Sequence, residues 1–118
     1  MCIVNYVTVM EIKKEIKKDC FAVKIVLEED DKILGRAYLY VIFDDRHDKP
    51  YGLFDVFVGE EQRGHGLGTK LVEAVIAEAK AQECYKLIGT SRYSRPKVHA
   101  WYKSLGFKDY GKEFRMDF

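Results

Sequence analysis

The stretch that most restricts this chain lies between Leu53 and Gln82. An apolar segment, Leu53-Phe-Asp-Val-Phe-Val58, runs into Gly59-Glu-Glu-Gln-Arg-Gly-His-Gly-Leu-Gly68 and then into an amphipathic stretch, Thr69 to Gln82. Gly64, Gly66 and Gly68 stand at alternate positions. They remove side chains where the backbone must turn and where a ligand could come close. A helix starting directly after such a loop presents unpaired N–H groups and a partial positive charge, which together favour an anion. A phosphate or pyrophosphate is the natural guest, and a glycine-rich turn with no ligand is the plain alternative.

Two familiar phosphate loops do not fit. A Walker loop needs G-x-x-x-x-G-K-[ST], and Gly68-Thr69-Lys70 has those residue types in the wrong order. A dinucleotide fingerprint needs G-x-G-x-x-G at the first strand–helix turn with an acidic residue about 20 positions on. Here the spacing is G-x-G-x-G and the loop follows four expected strands.

The rest of the pattern predicts one domain over residues 1–118, a mixed sheet with helices packed on it. Ile3 to Glu11 reads as a strand, and Phe21 to Glu28 with Ile33 to Phe43 as a hairpin around Glu29-Asp-Asp-Lys32. Glu11 to Lys18 is ambiguous, with Ile12 and Ile16 at i,i+4 in a short segment. Asp44 to Pro50 is a polar loop before the strand Leu53 to Val58. In the helix Thr69 to Gln82, Leu71, Val75 and Ala79 make an apolar stripe with Val72 and Ile76 beside it. A short strand is expected over Tyr85 to Thr90. A second helix follows over Pro96 to Leu105, with proline at its start and Gly106 at its end. Phe107 to Tyr110 and Glu113 to Phe118 read as closing strands, the last with Phe114, Met116 and Phe118 on one buried face.

Composition excludes several classes. Hydrophobic residues make up 47% and charged residues 33%, which fits neither disorder nor a fibrous repeat. Twenty Lys+Arg against nineteen Asp+Glu leave a net charge of +1, so no nucleic-acid partner is expected. The longest apolar run, Ala37 to Phe43, is far short of the roughly 18–20 residues that span a bilayer, and the N-terminus lacks the basic stretch and apolar core of a secretory signal. No membrane partner is expected either. Cys2, Cys20 and Cys84 are an odd, scattered set, which points to a reducing, cytoplasmic setting. His47, His65 and His99 show no metal-ligand spacing, so no metal site is expected.

At the glycine loop the sequence resembles a known family. Val58 followed by Gln62-Arg-Gly-His-Gly-Leu-Gly68 and a helix is similar to the R-x-x-G-x-G acyl-CoA motif of GCN5-related N-acetyltransferases. Cys84-Tyr-Lys-Leu-Ile88 and Trp101-Tyr-Lys-Ser-Leu-Gly-Phe107 resemble that family's fifth strand and its Y-x-x-x-G-F element. The likeness covers roughly residues 52–118. It implies the mixed, mostly antiparallel sheet of the acyl-CoA N-acyltransferase fold and acetyl-CoA as co-substrate in a V-shaped gap between Val58 and Leu87-Ile88. The backbone of Arg63, Gly64, His65, Gly66, Leu67, Gly68 and Thr69 would hold the pyrophosphate, and the strand at Phe57 and Val58 would pair with the pantetheine arm. The Val58 N–H would serve as an oxyanion donor. Tyr102 matches the tyrosine that protonates the leaving thiolate, with core packing beside Trp101 as its alternative role.

Asp55, a lone carboxylate in an apolar strand, is the candidate base if burial raises its pKa; otherwise it orders the neighbouring loop. His99, one turn before Tyr102, is a possible proton shuttle, with packing as its plain role. Many relatives have asparagine where Arg95 stands, and Arg95 is read here as reaching a CoA phosphate. Only Glu11 to Cys20 is available where the family usually places two helices. That suggests an open acceptor side, suited to a large or exposed amine or completed by a second copy in a homodimer. The expected activity is direct acetyl transfer from acetyl-CoA to a primary amine on a small molecule or protein. A non-catalytic acyl-CoA-binding or regulatory domain on the same fold is the alternative.

Overall fold

The computed structural model describes residues 10–59, 64–91 and 94–118. Three long strands come first: β1 (Phe21–Glu29), β2 (Lys32–Asp44) and β3 (Lys49–Val58). Helix α1 (Leu67–Ala81), the short strand β4 (Leu87–Ile88) and helix α2 (Pro96–Ser104) follow. The sheet order is β1-β2-β3-β4, antiparallel through β3, with β4 parallel to it. The expected hairpin forms, and Asp30 and Asp31 both take left-handed φ values, 50° and 62°, as a tight two-residue turn requires.

Alternation along the strands sorts the core. Ala37, Leu39 and Val41 of β2 point to one face and are at most 3% exposed. They pack with Phe54 of β3 and with the α1 stripe Leu71, Val72, Val75 and Ala79, the stripe its four-residue spacing predicts. On the opposite face Tyr38 and Tyr40 stack at 5.9 Å, and Phe57 is 51% exposed.

Several expected elements differ. The strand expected over Ile3 to Glu11 lies largely outside the described residues. Glu11 to Lys18 forms no helix, and Ile12 and Ile16 are exposed, because so short a segment has nothing to pack on. β4 is only two residues long rather than the six from Tyr85 to Thr90. Phe107 to Tyr110 and Glu113 to Phe118 are not strands, and Phe114, Met116 and Phe118 are solvent-exposed rather than buried. A closing strand needs an edge to pair with, and a two-residue β4 offers little. Among the described residues, no helix is long and apolar enough to cross a membrane.

Candidate active site

The site grows from the seam between β3 and β4. The two strands pair at Gly52↔Leu87 and Leu53↔Ile88, with the Gly52 N–H donating to the Lys86 carbonyl at 2.9 Å and the Tyr85 N–H to the Pro50 carbonyl at 3.0 Å. The ladder then stops. The ring of Phe54, only 8% exposed, lies so close to Gly89 that a Cβ there would sit 2.4 Å from a ring carbon. The ring packs against Gly89 just where the ladder ends, and only glycine at position 89 admits it.

Beyond this wedge a cleft of about 360 Å³ opens. Asp55 and Val56 of β3 form one wall, and Thr90 and Ser91, just past β4, face them. Arg95, Val98 and Tyr102 close it from α2 and its N-terminal cap, and Glu113 and Arg115 complete it from the C-terminal segment. His99 does not line it. Among the described residues, residues 54–57 of β3 have no strand neighbour on this side.

Tyr102 is held by the end of its own helix. The N–H of Gly106 donates to the Lys103 carbonyl and that of Phe107 to the Tyr102 carbonyl, both at 3.1 Å, with Gly106 at φ 100°. These are the two bonds of a Schellman cap, whose usual apolar contact joins the residues now occupied by Tyr102 and Phe107. Their rings lie 5.5 Å apart, and Phe54 packs on both, at 5.7 and 5.5 Å. The Y-x-x-x-G-F pattern is therefore a helix stop that fixes the tyrosine. Burial, then the Asp55 carboxylate, push the Tyr102 phenol above its ordinary value of 10.0, while Arg95 pulls it down. The hydroxyl is thus protonated at neutral pH.

Asp55 reaches the cleft, but not by the route expected for it. Its side chain is 55% exposed rather than buried, and Arg36 of β2 lies 3.5 Å away. Alternation explains this: Asp55 opposes Tyr38 and shares the open face of the sheet. The Arg36 guanidinium is stacked over the Tyr38 and Phe57 rings at 5.0 and 5.7 Å.

The glycine turn shows three different uses of glycine. Gly64 and Gly66 have φ values of 85° and 72°, and a Cβ at either would meet nothing within 4 Å. Gly66 is also the N-cap of α1. Among the described residues no side chain caps that helix, and its first turn has no acidic residue, an arrangement suited to an anion. Gly68 has a packing role instead: a Cβ there would lie 3.3 Å from the Trp101 ring. The Trp101 indole N–H donates to the Thr69 hydroxyl at 3.0 Å, tying α2 to the first turn of α1. His65 is exposed in the turn and Leu67 opens the helix. Arg63 lies outside the described residues. Val58 ends β3 opposite Gly35, and Phe57 opposes Arg36.

Gly89, Arg36, Ser91, Glu113 and Arg115 were not legible as site residues. The first is a single glycine after an apolar pair, Arg36 meets Asp55 only through sheet register, and the others reach the cleft through the path of the chain. Among the described residues, no group of three or more His, Cys, Asp or Glu side chains is placed to hold a metal ion.

Comparison with known proteins agrees with this geometry. The Acetyltransferase (GNAT) family model matches residues 6–107. The chain is 28% identical to human N-acetyltransferase 8B over 105 residues, which is 88% of this chain and 46% of that protein, so it spans less than half of that curated relative. Among solved structures, an acetyltransferase from Trypanosoma brucei superposes with a TM-score of 0.72 at 28% identity, covering 82% of this chain and 69% of that one. Glucosamine-6-phosphate N-acetyltransferase from Arabidopsis thaliana gives 0.74 at 25% identity, covering 82% and 66%. Because that family model matches residues 6–107, most of its length, the chain belongs to the GNAT acetyltransferase family.

Proposed function

We propose that the chain transfers the acetyl group of acetyl-CoA directly to a primary amine in the cleft between β3 and β4. The observation that carries this is the position of Tyr102, whose side chain lines the cleft where the strands part, beside Asp55. The residues present fit acetyl-CoA. Open backbone N–H groups at Gly66 to Thr69 suit a pyrophosphate, the glycines leave room for it, and the β3 edge at residues 54–57 offers backbone to an extended arm.

Acetyl-CoA supplies a thioester whose carbonyl carbon accepts the amine. The neutral amine nitrogen bonds to that carbon and the C–S bond breaks. The proton lost from nitrogen passes to the Asp55 carboxylate, directly or through water, and the sulfur takes the Tyr102 phenol proton. The backbone N–H of Val58 is assigned to the charge that develops on the carbonyl oxygen. Asp55 needs no burial for this, because its role follows from standing in the same cleft as Tyr102. The odd cysteine count, with Cys20 and Cys84 unbridged, supports a cytoplasmic setting.

The test is thiol release from acetyl-CoA across a panel of primary amines, followed on wild type and Tyr102→Phe. Turnover that the variant loses supports the assignment. Coenzyme binding without turnover on any amine would favour a non-catalytic acyl-CoA-binding domain.

A further inference from the structure

We infer that the acceptor is a small amine that also carries a carboxylate, an α-amino acid with an apolar side chain being the simplest case. This rests on the acetyl-transfer assignment of the same cleft and adds its substrate class. Four charged side chains line the cleft, and two are already matched. Asp55 faces Arg36 at 3.5 Å, and Arg115 bonds Asp117 at 2.7 Å. Arg95, expected to reach a CoA phosphate, instead lines the cleft with Tyr102, away from the glycine turn. It and Glu113 make no ion pair among the described residues, so the cleft presents one unmatched cation and one unmatched anion. Ser91 lines the same cleft, and its hydroxyl has no hydrogen-bond partner among the described residues. A buried hydroxyl without a partner is costly and is normally satisfied by something bound.

A zwitterion answers all three groups together. Its carboxylate takes the Arg95 guanidinium and the Ser91 hydroxyl, and its ammonium is drawn to Glu113 and passes one proton to that carboxylate or to water before the neutral amine attacks. A simple cation such as a polyamine would leave Arg95 unmatched and repelled. A phosphate dianion would call for a second cation, and Arg115 is committed to Asp117. Val56 and Val98 leave apolar wall for a side chain.

The experiment compares phenylalanine with phenylalaninamide, which keeps the amine and ring and lacks the carboxylate. Thiol release from acetyl-CoA should favour the acid by about tenfold or more in kcat/KM, mainly through KM, as expected for loss of a charge-assisted hydrogen bond. In Arg95→Ala that acid-to-amide ratio should fall towards one, and Arg95→Lys should restore part of it. Equal use of acid and amide by wild type, or an Arg95→Ala loss that is the same for both, overturns the inference while leaving acetyl transfer in place. Calorimetric titration of both compounds into CoA-saturated protein separates the two ideas. An Arg95-dependent preference for the acid without any turnover would support the zwitterion site and remove the acetyl-transfer assignment. Binding with no preference for the acid would overturn the inference.

Discussion

At one end of the seam between β3 and β4 polar groups tie the chain together; at the other the strands part beside a cluster of aromatic rings. The closed end centres on Asp44, whose carboxylate accepts a 2.7 Å hydrogen bond from the Tyr85 hydroxyl and a 3.0 Å bond from the Arg46 N–H, with His47 Nδ1 at 2.9 Å. Lys86 lies over the Tyr51 and Tyr85 rings at 4.9 and 5.2 Å. The open end is Phe54 pressed on Gly89, with Tyr102 and Phe107 stacked behind it. One seam thus has a structural clasp, built from the end of β2 and the residues before β4, and a reactive gap a few residues apart. Anchoring at one end allows the other to leave backbone unpaired without loss of the fold.

The largest expected effect is chemical and confined to the open end. Tyr102→Phe should lower kcat by about 10²–10⁴-fold, the usual worth of a positioned acid, with little change in melting temperature. The Tyr102 phenol is raised above 10.0 by burial, so its loss as an acid should not appear in the pH–rate profile until above that pH. Next comes the wedge. Gly89→Ala puts a methyl against the Phe54 ring and should cost about 1–3 kcal/mol in a denaturant melt. It should also disturb transfer, since the gap and the tyrosine share that ring.

At the clasp, Tyr85→Phe should lower the melting temperature by a few degrees without changing acetyl transfer. The Tyr85 hydrogen bond, then His47 and the Arg46 N–H, hold Asp44 at about 2, below its ordinary 3.8. A depressed carboxylate stabilises the fold above its unfolded value. That contribution is present above about pH 4 and is lost as pH falls through 3.8 towards 2. Thermal melts from pH 5 to pH 2 should show a steeper decline in wild type than in Tyr85→Phe. If Tyr85→Phe instead lowers transfer, the two ends are not independent. The smallest effect is expected for Trp101→Phe, about 1 kcal/mol, from loss of the indole bond to Thr69.

Much of this contrast could be read from the sequence, and the parts that could not share a cause. Local patterns were legible: the α1 stripe, the glycine turn, the hairpin, and Tyr102 with Gly106 and Phe107, because each depends on residues within a turn or two of one another. Where partners are distant, the sequence misleads. Asp55 looks buried in an apolar strand, yet sheet register places it on the open face beside Arg36. Glu113 to Phe118 alternates like a strand, but alternation cannot supply the edge it would pair with. Gly68 looks like a ligand contact and packs on Trp101, a residue 33 positions away.

The central claim is that the open end of the seam binds acetyl-CoA. A thermal melt of the purified protein with and without excess acetyl-CoA tests it most directly, with ATP and NAD as controls. Coenzyme at about 100 times its Kd should add roughly 2.7 kcal/mol, several degrees for a chain of this size, while the controls add nothing comparable. An unchanged melting temperature at saturating acetyl-CoA would contradict the account: the gap would be scaffold, and the transfer chemistry assigned to Tyr102 would have no substrate to act on.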